Sequence, residues 1–178
     1  VLAWADDVDA GQDTIMLAWR RNDVAALNNL ARTNRRAAGR LSPHSTGLRG
    51  GRNYAVGDRI VALAPDPSRR WVASQQGTVT AIDAPTRTVT VTFDDTTEPV
   101  ELRGAQLDEH HLDHAYATTV HRAQGATVDR AHVYADGGGR ELTYVALSRA
   151  RDSTTIHCAA DGIDHWNLFC PPEPGFIE

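Results

Sequence analysis

Apolar positions along the chain fall into runs of three kinds. Thr14–Trp19 is short, almost wholly apolar and without alternation, the pattern of a strand buried on both faces of a parallel sheet. Asn22 or Asp23 can cap the helix that follows. Val24, Leu27, Leu30 and Ala31 form its apolar stripe to about Ala38, and Gly39 stops it. Strand, polar turn and helix open an α/β unit. Val1–Asp13 ahead of it is acidic and reads as a loose entry with one short helix or strand around Leu2–Trp4.

Leu41–Asn53 holds Ser, Pro, Gly and Arg without a period and reads as a linker. From Tyr54 the pattern becomes β-branched and partly alternating. Asp58–Leu63, Gly77–Ile82, Thr88–Phe93 and Val100–Leu102 are short strands, separated by turn-rich pieces at Ala64–Pro67 and Asp83–Pro85. Such a series predicts a small β-barrel. Trp71 beside Arg69 and Arg70 reads as a loop tip covered by an aromatic residue, with stacking on nucleic acid as the functional alternative. Farther on, Arg130–Ala135 and Thr154–Cys158 read as two more core strands. Trp166, Leu168 and Phe169 are expected to dock a last helical turn before Pro171–Pro174 end regular structure.

Two stretches carry chemistry. Tyr116–Asp129 reads YATTVHRAQGATVD. Thr118 or Thr119 can cap a helix of barely one turn, Val120–Gln124, and Gly125 follows where a helix often stops. So short a helix needs burial or function to hold it. Its hydroxyl, imidazole, guanidinium and carboxamide groups can all meet phosphate or sugar without reading a base; an ordinary capped loop is the plain alternative. Glu141–Asp152 reads ELTYVALSRARD, with Leu142, Val145, Ala146 and Arg149 at helical spacing over Glu141–Ala150. Gly137–Gly139 connect to it. Arg151 reads as a solvated helix end. Arg149 falls on the periodic face, where packing would pre-organise its guanidinium for an anion such as a terminal phosphate.

The Thr-Val-His-Arg-Ala-Gln-Gly run and the Tyr-Val-Ala-Leu-Ser-Arg-Ala-Arg run together resemble motifs V and VI of superfamily 1 helicases. The likeness is to the RecD-like branch, and especially to the helicase part of conjugative relaxase–helicases of the TrwC/TraA type. It implies an α/β fold: a RecA-like three-layer domain over residues 1–50 and 108–178, with an SH3-like barrel inserted at 54–107. It implies nucleic-acid contacts by Thr118, Thr119, His121 and Arg122. Gln124 and Gly125 would couple that strand to the nucleotide cleft, and Arg149 would be the finger on the γ-phosphate. Motif IV would occupy the turn after the first strand, making Arg20 a second arginine near the γ-phosphate. Many relatives carry Glu near the end of motif V where this chain has Thr127, so a ribose contact by that residue is not carried over.

Composition changes this picture at one point. All 18 basic residues are arginine. A Walker A loop needs a lysine to reach the β- and γ-phosphates, so the chain holds no complete P-loop site and should not hydrolyse ATP alone. Val1 reads as a cut edge, and the resemblance places the first RecA-like domain upstream. ATP and Mg would be bound mainly by that domain, with none expected on this chain by itself. Single-stranded DNA and the upstream domain are the implied partners, in plasmid conjugation or DNA repair, with 5′ to 3′ movement implied by the family.

A net charge of −5 argues against bulk adhesion to nucleic acid. Arg20, Arg21, Arg32, Arg35, Arg36, Arg40, Arg49 and Arg52 nevertheless crowd a stretch whose one acid is Asp23, enough for a local backbone-binding face. An apolar fraction of 41% supports a buried core. No run is long enough for a membrane span and no signal peptide is visible, which with Cys158 and Cys170 in no disulfide or zinc spacing gives a cytoplasmic expectation. His110 and His114 lie four apart, with Asp113 between them. On a helix they would share a face within reach of a metal, although the glutamate of an HExxH hydrolase is missing and a polar surface turn is preferred. The rival to a motor domain is a non-enzymatic nucleic-acid-binding module with a degenerate helicase fold.

Overall fold

A computed structural model describes residues 1–47, 52–68, 70–108, 110–123, 127–136 and 140–158. The chain divides into two compact units, each discontinuous in sequence. The first takes in Val1–Ala5 and Ala25–Ala117, the second Asp6–Val24 and Thr118–Glu178. Helix α1 (Leu2–Asp9) and helix α2 (Arg21–Ala37) each span a boundary.

The second unit is built on a parallel sheet. Strand β1 (Thr14–Ala18) is the apolar run expected from the sequence, and Met16, Leu17 and Ala18 are buried. In the first unit lie β2 (Ser45–Gly47), β3 (Asn53–Ala55), β4 (Arg59–Ala62), β5 (Gln76–Asp83), β6 (Thr88–Phe93), β7 (Val100–Arg103) and β8 (Leu112–His114). Strand β9 (Ala117–Thr119) follows, then β10 (Val128–Tyr134), helix α3 (Arg140–Leu147) and β11 (Ala150–His157). The order in the parallel sheet is β11-β10-β1-β9. Leu17 pairs with Val133, and Val133 with Ile156, both in parallel register.

Side-chain alternation gives this sheet two faces. Leu17, Ala131 and Val133 pack with Val120, Ala123 and Ala146 into one core cluster. Arg130 and His132 belong to the opposite face. Trp166, Leu168, Phe169 and Pro171–Pro174, expected as a closing turn, lie outside the described residues.

Helix α2 ends as the sequence indicates. Gly39 has φ +69°, and the N–H groups of Gly39 and Arg40 donate to the carbonyls of Arg36 and Arg35. This left-handed stop is one glycine accepts without penalty. Its start differs: Arg20 is the capping position, its carbonyl accepting from Val24 N, two to three residues before Asn22 or Asp23. The buried face differs too. Leu30 is 58% exposed, while Asn28 and Ala31 are buried. Asn28 Oδ1 accepts from Tyr116 N and Ala117 N at 2.9 and 2.8 Å. A polar residue therefore takes a place the apolar stripe assigned to leucine.

The first unit carries a five-stranded antiparallel sheet of order β7-β6-β5-β4-β8. All four strands expected from β-branched alternation are present, and β8 adds a fifth beside β4. Tyr54, Ile60, Val79, Val91, Phe93, Leu102 and Leu112 fill its core. Trp71 closes that core: it is buried, lies against Phe93 with ring centroids 5.9 Å apart, and donates from Nε1 to Ala64 O. Arg70 is held by Asp66 and sits over the Trp71 ring.

Gly77 in β5 is required by close approach. A Cβ there would stand 2.6 Å from Thr92 O and 2.9 Å from a Val91 methyl. Gly77→Ala is expected to destabilise the unit by about 1–3 kcal/mol through overpacking, read as a lowered urea midpoint with an unchanged m-value.

Candidate nucleotide and nucleic-acid site

The first chemical block leaves β9 and turns at once. Val120 N donates to Ala18 O at 3.1 Å, tying the turn to the carboxyl end of β1. Ala123 N donates to Thr119 O, and Arg122 N to Thr119 Oγ1 at 3.3 Å. Thr119 therefore caps a single turn. Val120 and Ala123 are buried in the sheet's core. With that side of the turn anchored, His121 and Arg122 project to solvent. Thr118 is buried and Thr119 half-buried, so the four residues proposed for nucleic acid are presented unequally. Gln124 and Gly125 lie outside the described residues; Thr127, in place of glutamate, is exposed.

The second block forms α3, which ends at Leu147, short of the expected Ala150. Ser148 N and Arg149 N still bond to Tyr144 O and Ala146 O, so Arg149 sits in the turn that closes the helix. Its guanidinium is held from several directions. Nε donates to Val145 O at 3.0 Å, Nη2 to Ser148 Oγ at 2.9 Å, and Nη1 reaches Ala123 O at 3.5 Å. Its carbonyl accepts from Val128 N at 3.0 Å. The sheet thus brings the two blocks together through Arg149. Arg151, expected at a solvated helix end, instead lies in β11 and pairs with Asp129 on the surface.

Arg20 stands elsewhere. It follows the carboxyl end of β1 and pairs with Asp136 at 3.0 Å, both side chains largely exposed. Arg149 precedes the amino end of β11, where Ala150 pairs with Val128. The strands are parallel, so the five residues of β1 lie between the two positions. At a rise of ~3.3 Å per residue, their backbones are at least about 15 Å apart along the strand direction. The two arginines therefore mark opposite ends of the sheet.

The histidine cluster is not assembled either. His114 lies on strand β8, not a helix; it is buried, whereas His110 is exposed. Asp113 pairs with Arg52, and Asp108 accepts from His110 N and His111 N and pairs with the His111 ring. Burial holds the His114 pKa below its ordinary value, outweighing the nearby Asp58 charge. Among the described residues no group of three His, Cys, Asp or Glu side chains is placed to hold a metal.

The chain matches the viral superfamily 1 RNA helicase core domain over residues 68–158. The chain belongs to the superfamily 1 helicases. This helicase domain is 32% identical over 160 residues to a probable conjugal transfer protein TraA of Sinorhizobium fredii, matching 88% of this chain and 14% of that protein. It is 33% identical over 119 residues to the ATP-dependent DNA helicase Pif1 of Bdellovibrio bacteriovorus, covering 57% of this chain and 26% of that one. The domain spans about a seventh of the TraA relative's length. Among solved structures, Bacteroides Pif1 bound to ssDNA superposes with a TM-score of 0.60 at 18% identity, over 88% of this chain and 45% of that chain. That likeness shows a RecA-like helicase fold with a parallel sheet.

No helix among the described residues is long and apolar enough to cross a membrane. Toward a nucleotide, the described residues present the held guanidinium of Arg149 and no His, Cys, Asp or Glu cluster for a cation, and the sequence contains no lysine.

Proposed function

We propose that this chain is the second RecA-like domain of an ATP-dependent DNA helicase that moves along single-stranded DNA, in conjugative transfer. ATP and Mg are held mainly by a further domain carrying the Walker A lysine, and Arg149 completes the site from this side. Thr119, His121 and Arg122 meet the DNA backbone, while Gln124 and Gly125 pass nucleotide state to them. The antiparallel sheet of the first unit serves as an SH3-like barrel inserted in the motor domain. Arg149 is the proposed finger, with Arg20, beyond the carboxyl end of β1, as a second arginine toward the γ-phosphate.

The observation that carries this reading is the hold of Arg149, in the second motif block, on the first block through Ala123 O and Val128 N. A guanidinium bonded to that turn and meeting the γ-phosphate would couple hydrolysis to DNA. When bound, ATP supplies the phosphoryl group whose developing charge Arg149 would meet.

The test compares ATP hydrolysis, with and without single-stranded DNA, by this chain and by a chain that adds a Walker A domain. A silent short chain and a DNA-stimulated longer one support the motor reading. A longer chain that binds DNA and hydrolyses nothing favours the binding-module reading instead.

A further inference from the structure

On the face of the parallel sheet opposite Arg149 and Ala146, three titratable side chains form a line that the nucleotide site does not use. Asp7 on α1 accepts from His132 Nε2 at 2.8 Å through Oδ2. His132 Nδ1 lies 3.1 Å from His157 Nε2. Asp7 Oδ1 takes Arg130 Nη1 at 2.6 Å. His132 is buried, and its ring lies nearly parallel to that of His157, with centroids 5.4 Å apart. These elements are far apart in sequence: α1, β10 and β11 each contribute.

We propose that Asp7, His132 and His157 form a proton-operated latch fastening the carboxyl-terminal turn of α1 to β10 and β11, closed near neutral pH and released on acidification. The proton count sets the sign. With Asp7 ionised, His132 donates from Nε2, so its Nδ1 carries a lone pair in the neutral ring. His157 Nε2–H donates to that lone pair. One added proton is accommodated on the free His157 Nδ1. A second makes both rings imidazolium, and two N–H donors then face each other at 3.1 Å with no acceptor between them.

The charged groups facing the line agree. Burial, then repulsion from His132, hold the His157 pKa below its ordinary 6.5. Burial by itself would raise the Asp7 pKa, but the bonds from His132 and Arg130 prevail and hold it below 3.8. A histidine whose folded-state pKa is depressed contributes fully above its ordinary value and is lost as pH falls below it. Asp7 stays ionised through that window, so the histidines do the switching.

The experiment is native-state hydrogen exchange on this chain between about pH 8 and pH 5, the range in which histidine changes charge. Protection, corrected for intrinsic exchange, is followed at the Ala10 and Gln12 amides, which bond to Asp6 and Asp7 carbonyls, and at β10. The latch predicts selective loss at Ala10 and Gln12 on acidification, with β10 protected. His157→Gln, which still donates to His132 but does not titrate, should flatten that loss without abolishing neutral-pH protection. His132→Gln is the second arm and should also remove the pH dependence. Unchanged protection in the wild-type chain overturns the proposal. So does parallel loss at β10, or a pH response that survives both substitutions.

Discussion

Arg149→Ala is expected to abolish DNA-stimulated ATP hydrolysis in a form of this helicase that carries a Walker A domain, lowering kcat by about 10³-fold or more. Arg149 is pre-positioned by Val145 O, Ser148 Oγ and Ala123 O, so its charge is in place before negative charge develops on the transferred phosphoryl group. The loss should fall on kcat more than on nucleotide binding, because the interaction strengthens in the transition state. Arg149→Lys should rescue little. An ammonium has one point of charge and cannot keep the split hold on two carbonyls and a hydroxyl. Arg151→Ala is the control: its exposed pair with Asp129 predicts near-normal turnover. Steady-state turnover with saturating single-stranded DNA reads all three, and full activity in Arg149→Ala would remove the finger assignment.

The second large effect is on stability. Asp58 is fully buried in the first unit. Arg32 Nε donates to both its oxygens at 3.0 Å, Ala55 N donates at 2.6 Å, and the Tyr116 hydroxyl donates to Oδ1. Burial first, and then the Asp58 charge, push the Tyr116 pKa above its ordinary range, so this phenol remains a donor. Asp58→Ala leaves a largely buried guanidinium and a buried hydroxyl without their acceptor. Breaking such a pair from one side costs about 3–5 kcal/mol, a large share of the roughly 5–15 kcal/mol of a whole domain. Urea unfolding should show a much lower midpoint. Arg32→Ala combined with Asp58→Ala should cost less than the sum of the two, since the double variant leaves neither charge alone. Strict additivity would show that Asp58 acts only as a cap on Ala55.

The value of a residue's neighbours in sequence explains which of these features were legible. Thr119 capping the motif V turn, the apolar run of β1, the Gly39 stop of α2 and the four strands from β4 to β7 depend on local period and turn chemistry. A residue and its near neighbours determine each of them. The two motif blocks, and with them superfamily membership, were likewise written in short contiguous stretches. The end of the second block's helix was less legible, since α3 stops at Leu147 and Arg149 lies just past it.

Tertiary structure alone decided the rest. Asn28 interrupts an apolar stripe because its side chain completes the hydrogen bonding of Tyr116 and Ala117, residues that α2 cannot announce. Arg32, read as one of a cluster of arginines, and Asp58, read as the start of a strand, lie 26 positions apart, and only packing pairs them and removes the water between them. Arg20 and Arg149 looked alike as arginines beside motifs, but parallel strand direction sends one to each end of the sheet. Asp7, His132 and His157 meet only because three elements converge on one sheet face. The amino-acid sequence by itself determined which segments could be strand, helix or turn and which family they serve. Only the fold decided which charges lose their water, because desolvation depends on neighbours in space.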